Sequence, residues 1–179
     1  TEQNKTYRYL LNDAVLKSSI EIVKKDAETG VVIPLAGAGF QVRSKETGEL
    51  VIQHLTYPTP VDIDTFYTDT TGKLMLPEPL PYGDYELIEV QAPSGYVLND
   101  TEYHVELFPG KDSTLVVNNE KKPNLKIVKT DAVTGAPLSG VTFTVSKADS
   151  STLTTVKTGA NGEALLTALD PGVYVVRET

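Results

Sequence analysis

Cysteine is missing from all 179 residues, which excludes disulfides as staples. Its absence says little about compartment, because extracellular proteins of many bacteria also avoid it. No apolar run approaches the roughly 20 residues a membrane-spanning helix needs, and the polar start TEQNKTYRY lacks a signal peptide's apolar segment. Export or anchoring signals are therefore expected outside this stretch of chain. Basic residues are outnumbered 16 to 24 by acidic ones and form no run interleaved with aromatics, which argues against a nucleic acid or an anionic membrane as partner. Sustained helical periodicity is absent as well. His54 and His104 stand without companions at metal-ligand spacing. Asp62, Asp64 and Asp69, in VDIDTFYTDTTGK, lack the Gly and Glu spacing of a calcium loop, so that stretch reads as a polar hairpin. Neither a nucleophile elbow nor a Gly-rich phosphate loop occurs. No metal, no cofactor and no turnover on an external substrate are expected.

What the chain does contain is a repeat. Ile22 to Phe40 reads IVKKDAETGVVIPLAGAGF, and Ile127 to Phe143 reads IVKTDAVTGAPLSGVTF. The matching lysines, Lys24 and Lys129, stand about a hundred positions apart, the length of one small sandwich domain and too long for a solenoid repeat. SIEIVKK, FQVRS, ELVIQHL, DTFYTD, GKLMLP, GDYELIEV, TEYHVELF and STLVVNNE read as short strands separated by Pro, Gly, Asn and Asp clusters. The expected class is all-β, with tandem Ig-like sandwiches. Residues 1–18, with an alternating piece around Tyr7, Tyr9 and Leu11, form the tail of a preceding module or a linker. Residues 19–122 form a complete sandwich and 123–179 the N-terminal part of a second. The joint is EKKPN, where Pro123 interrupts any continuous ladder. Matching GVYVVRE to GDYELIE places the end of the chain before the second module's closing strands. That module is expected to be frayed or completed by something else.

Side chains alternate across a strand, so parity shows which residues share a face. Ile20, Ile22 and Lys24 point one way; so do Tyr85, Leu87 and Glu89, and likewise Leu115, Val117 and Asn119. The second module repeats two of these sets, with Leu125, Ile127 and Lys129, and with Tyr174, Val176 and Glu178. A lysine at a strand end can snorkel to water from an edge position, but recurrence in both modules favours a shared buried site. Buried together, the lysine is pushed toward its neutral amine and the glutamate toward its neutral acid. A neutral amine against the asparagine carboxamide can displace ammonia and leave an amide cross-link. The carboxyl would donate to the developing oxyanion and pass a proton to the leaving group. Parity selects Asn119 over its neighbour Asn118.

The run IVKKDAETG…PLAGAGF, then GDYELIEVQAPSGY, then LVVNNEKK, resembles the Cna-B or SpaA-type modules of Gram-positive surface adhesins and pilins. The resemblance covers Ser19 to Lys121, and the second module up to Glu178. It implies a transthyretin-like sandwich in which Lys24 is nucleophile, Glu89 the proton-shuttling acid and Asn119 the electrophile of an isopeptide bond. Lys129 and Glu178 would belong to a second site with no partner asparagine downstream in this sequence. The implied role is a structural stalk segment of a cell-wall-anchored surface protein, with neighbouring modules of the same parent as partners. The alternative is an adhesive tip whose loops, including YPTPV, contact a host matrix glycoprotein or glycan.

Overall fold

The computed structural model describes residues 15–179, so the stretch around Tyr7, Tyr9 and Leu11 lies outside the described residues. Among the described residues every regular element is a β-strand. The first module contains β1 (Lys17–Ser18), β2 (Ile20–Asp26), β3 (Gly39–Ser44), β4 (Gln53–Leu55), β5 (Val61–Ile63), β6 (Phe66–Tyr67), β7 (Lys73–Met75), β8 (Leu80–Pro81), β9 (Gly83–Gln91), β10 (Glu102–Leu107) and β11 (Ser113–Asn119). The second contains β12 (Leu125–Val128), β13 (Thr142–Lys147), β14 (Thr152–Lys157), β15 (Glu163–Leu166) and β16 (Tyr174–Glu178).

Two sheets make the first sandwich. One runs β11-β2-β7, the other β10-β9-β3-β6. Their facing side chains, among them Ile20, Ile22, Phe40, Val42, Leu87 and Val117, are all buried in one cluster. Burial of each large apolar side chain contributes about 1.5–3 kcal/mol. β2 is central to its sheet: β7 lies antiparallel on one side, and β11, almost a hundred residues later in sequence, lies parallel on the other. A parallel neighbour cannot come from a hairpin, so the two ends of the module are brought side by side by the whole intervening chain.

The strand expected over ELVIQHL is shorter in the structure. Val51 N–H bonds back to Val42 O, and only Gln53–Leu55 forms a strand, paired with β5, a strand that the sequence pattern did not resolve. Gln53 is buried and bonds reciprocally to the backbone of Glu78. The YPTPV loop crosses between β4 and β5, with Tyr57 86% exposed.

The second module repeats the frame. Asp26 Oδ1 accepts from the backbone N–H and hydroxyl of Thr29, and Asp131 Oδ1 accepts from the same groups of Thr134. Tyr85 donates to Pro81 O four residues back, as Tyr174 does to Asp170 O. Lys24 N–H bonds Gly72 O, and Lys129 N–H bonds Gly162 O. In this module β12 pairs with β15, and β16 pairs with β13, matching β2–β7 and β9–β3. Val176, at the position of the fully buried Leu87, is 39% exposed. At the joint, Lys122 N–H bonds Gly95 O, Leu169 N–H bonds Pro123 O, and the Lys122 ammonium lies 2.6 Å from Asp170.

Candidate functional site

Strand alternation and register bring three polar side chains into the interior of the first module. Lys24, Glu89 and Asn119 are 0%, 2% and 1% exposed. Lys24 stands opposite Val117 in the parallel pair, and Asn119 stands opposite Asp26, so the two lie one side-chain repeat apart on adjacent strands. Both face the other sheet. There Glu89 of β9 is the register partner of Phe40, whose ring centroid is 5.3 Å from the Lys24 nitrogen.

Glu89 spans the other two residues. Its Oε1 is 2.8 Å from Lys24 Nζ, while its Oε2 accepts from Asn119 Nδ2 at 2.6 Å and from the Asn99 backbone N–H at 2.8 Å. Asn119 Nδ2 also donates to Val97 O at 2.8 Å. A backbone carbonyl can only accept, so the Val97 contact determines which end of the carboxamide is nitrogen. This differs from one detail of the sequence expectation: the carboxyl meets the carboxamide nitrogen rather than its oxygen. Asn119 Oδ1, Glu89 Oε1 and Lys24 Nζ are buried without a well-formed hydrogen bond among the described residues, although amine and carboxyl meet as an ion-pair contact at 2.8 Å.

A buried ammonium without a full set of acceptors is unfavourable, and the group responds by shedding its proton. Burial pulls the Lys24 pKa down from its ordinary value, and the contact with Glu89 opposes this without cancelling it. The result is an amine biased toward neutrality, in contact with a buried carboxyl whose other oxygen holds a carboxamide.

The remaining sequence candidates fall elsewhere. Asn118 is exposed and pairs with Lys25. Lys129 and Glu178 do meet, at 2.9 Å, but their side chains are 33% and 50% exposed. His54 pairs with Asp62 at 2.6 Å on the surface, and Asp69 caps the turn before β7 through Thr71. Among the described residues no group of three potential ligands could hold a metal ion.

Sequence reasoning missed Val97, Asn99 and the role of Tyr96. The signal lay in the GYVLND run that follows Pro93. Tyr96 donates to Asp26 Oδ2 at 3.2 Å, and the Lys121 ammonium sits 3.1 Å from the same carboxylate, so this run is tied to the turn that ends β2. The Thr29 backbone N–H, and after it Lys121, hold the Asp26 carboxyl far below the usual carboxylate range.

These features define a class: a prealbumin-like β-sandwich with a dry amine, carboxyl and carboxamide between its sheets. The family model of the SpaA prealbumin-like fold domain matches residues 18–121 and again 123–179, and the chain belongs to that family. Among curated protein sequences none matches the chain. Among solved structures, the Bacillus anthracis TIE protein is 28% identical over 92% of this chain and 28% of that one, with a TM-score of 0.51. A streptococcal ancillary pilin is 24% identical over 93% of this chain and 54% of that one, with a TM-score of 0.55. The shaft pilin SpaA of Lactobacillus rhamnosus GG, in a double-mutant form, is 15% identical over 93% of this chain and 88% of its own, with a TM-score of 0.51. The two pilins share the fold. The chain spans only 28% and 54% of the first two proteins' lengths.

Proposed function

We propose that the first module is a self-stapled structural segment of a bacterial cell-surface stalk or pilin-like protein, braced by an isopeptide bond between Lys24 and Asn119. The observation that carries this reading is the Glu89 carboxyl, which touches the amine with one oxygen and the carboxamide nitrogen with the other. The neutral Lys24 amine gives its lone pair to Asn119 Cγ, and the C=O π pair moves onto Oδ1. A proton from Nζ passes through the Glu89 carboxyl to Nδ2, and collapse of the tetrahedral carbon expels ammonia with the old C–N bonding pair. One amine and one carboxamide become one secondary amide and ammonia, and Glu89 ends in its starting state. The step happens once per molecule, so this is no turnover enzyme. A neutral amide is also far cheaper to bury than an unpartnered ammonium.

The topology gives the bond its use. Force entering at the start of β2 and leaving after β11 would otherwise load one parallel strand pair in shear. With Lys24 joined to Asn119, it runs along β2, through the amide and out at Glu120, and the residues between carry none. Closing a loop of roughly 95 residues also removes about 4 to 5 kcal/mol of unfolded-state freedom by the chain-entropy model. The proposed location is the extracellular, cell-wall-anchored surface, reached through parts outside this sequence, with adjoining modules as partners.

Intact mass under denaturing conditions tests the bond. The wild-type chain is expected to weigh one ammonia less than its sequence, and Lys24→Ala, Glu89→Ala and Asn119→Ala each to restore the full mass, while Asn118→Ala does not. A wild-type chain of full mass overturns the proposal. The second reading, an adhesive tip, draws on the exposed Tyr57 loop. Binding of a host glycoprotein or glycan that is lost when Thr56–Asp64 is shortened would favour it.

A further inference from the structure

We infer that Asn99 is a positioning residue for this cross-linking step: it locks the rotation of the Glu89 carboxyl so that one oxygen serves the amine and the other the leaving nitrogen. The inference rests on the self-stapling reading above. A carboxyl that must touch two reactants has to be held about its last torsion, which is intrinsically soft. Lys24 touches only Oε1, at 2.8 Å and without a well-formed hydrogen bond, and its nitrogen is consumed in the step. Asn119 cannot hold it through the reaction, because its nitrogen departs. The remaining partner is the Asn99 backbone N–H, 2.8 Å from Oε2.

That N–H is fixed by the Asn99 side chain. Residues just before it are tied by backbone bonds, Val97 N–H to Glu120 O and Lys122 N–H to Gly95 O. Asn99 instead relies on its own carboxamide. Nδ2 donates to Tyr103 Oη and to Asn118 O, both at 2.8 Å, and Oδ1 accepts from Thr101 N–H at 2.9 Å. One side chain thus ties the loop to β10 and to β11 at the residue preceding the electrophile. It also forms part of the wall of a surface cleft of about 330 Å³ lined by Val97, Asn99 and Asn118. Removing it both frees the carboxyl and opens the loop next to the dry pocket to water.

The test follows the full-length chain after cell-free synthesis, with aliquots read in parallel by circular dichroism for folding and by denaturing intact mass for ammonia loss. In wild type, mass loss is expected to follow folding closely. In Asn99→Ala, folding is expected to finish while mass loss lags by roughly ten- to a hundredfold, the cost of a misplaced catalytic group. In a Glu89→Asp chain, whose shorter carboxyl is drawn away from the Asn99 N–H, adding Asn99→Ala is expected to slow the reaction no further, since Asn99 acts through Glu89. A purely structural role would slow both backgrounds alike. If Asn99→Ala does not fold, Tyr103→Phe, which removes one of the two Nδ2 acceptors, is expected to show a smaller lag. Ammonia loss at the wild-type rate in folded Asn99→Ala overturns the inference and leaves the cross-link standing. Absence of ammonia loss in wild type sinks both.

Discussion

Pulling the chain from its two ends gives the sharpest measure of the proposed bond. The perturbation is Asn119→Ala, which removes the electrophile and leaves the Lys24 and Glu89 side chains in place. Without a cross-link the whole first module can extend. About 95 residues lie between Lys24 and Asn119, and at 3.3–3.6 Å each they span roughly 310–340 Å. Subtracting about 8 Å for the folded separation of Lys24 and Asn119, two positions apart on adjacent strands, leaves a gain of at least about 300 Å. With the proposed cross-link in place, that length lies behind the amide and is unavailable. The second module, residues 123–179, adds at most about 200 Å in either protein and serves as an internal control for a properly held molecule. Single-molecule force spectroscopy should therefore show the long step in Asn119→Ala and only the short one in wild type. A long step of about 300 Å in wild type would refute the force path drawn through Lys24 and Asn119, as would its absence in the variant.

Two further perturbations address the pocket and its frame. In an Asn119→Ala chain the Lys24 amine stays unreacted with its folded pKa lowered by burial below the 10.5 of the unfolded chain. The unfolded state then binds more protons between those two values, so stability rises with pH across that window and is complete above 10.5. Urea midpoints of Asn119→Ala and of Lys24→Met/Asn119→Ala should converge as pH is raised from about 7 to about 10.5, and a constant gap would contradict a desolvated amine. Gly72, with φ +75°, has its carbonyl on the Lys24 N–H, and a Cβ there would sit 1.9 Å from Ile33 O. Gly72→Ala is expected to cost about 2–4 kcal/mol in thermal or urea unfolding, and a change under about 0.5 kcal/mol would mean the loop at Ile33 yields freely.

The parts of the site on strands were legible because the strand period is two. Once Ile20 and Ile22 face inward, Lys24 must follow, and the same holds for Glu89 after Tyr85 and Leu87 and for Asn119 after Val117. The tandem sandwich was legible because the KKDAETG and KTDAVTG turns recur with the same Asx geometry. Val97 and Asn99 were not, since they act from a loop whose position depends on Glu120, Tyr103 and Asn118, and no periodicity encodes such contacts. The same loop turned the Asn119 nitrogen toward Glu89, which parity could not foresee. β5 was hidden because VDI follows two prolines and is too short to show alternation, and it forms only as the partner of β4.

The two modules hold a similar lysine–glutamate contact in different surroundings. Lys129 and Glu178 approach to 2.9 Å, much as Lys24 and Glu89 do at 2.8 Å, yet the first pair is a half-exposed salt bridge and the second is fully dry. In the first module β11 lies along β2 and supplies Asn119, and β10 with the Val97–Asn99 loop closes over Glu89. In the proposed reaction, the strand that brings the electrophile is also part of the structure that removes water from the nucleophile. The Lys24 amine would be protonated and inert while the module is open, and would gain its lone pair only with the carboxamide already beside it. That coupling would direct the cross-link to one asparagine without a separate recognition step, because desolvation and delivery of the partner would be the same folding event.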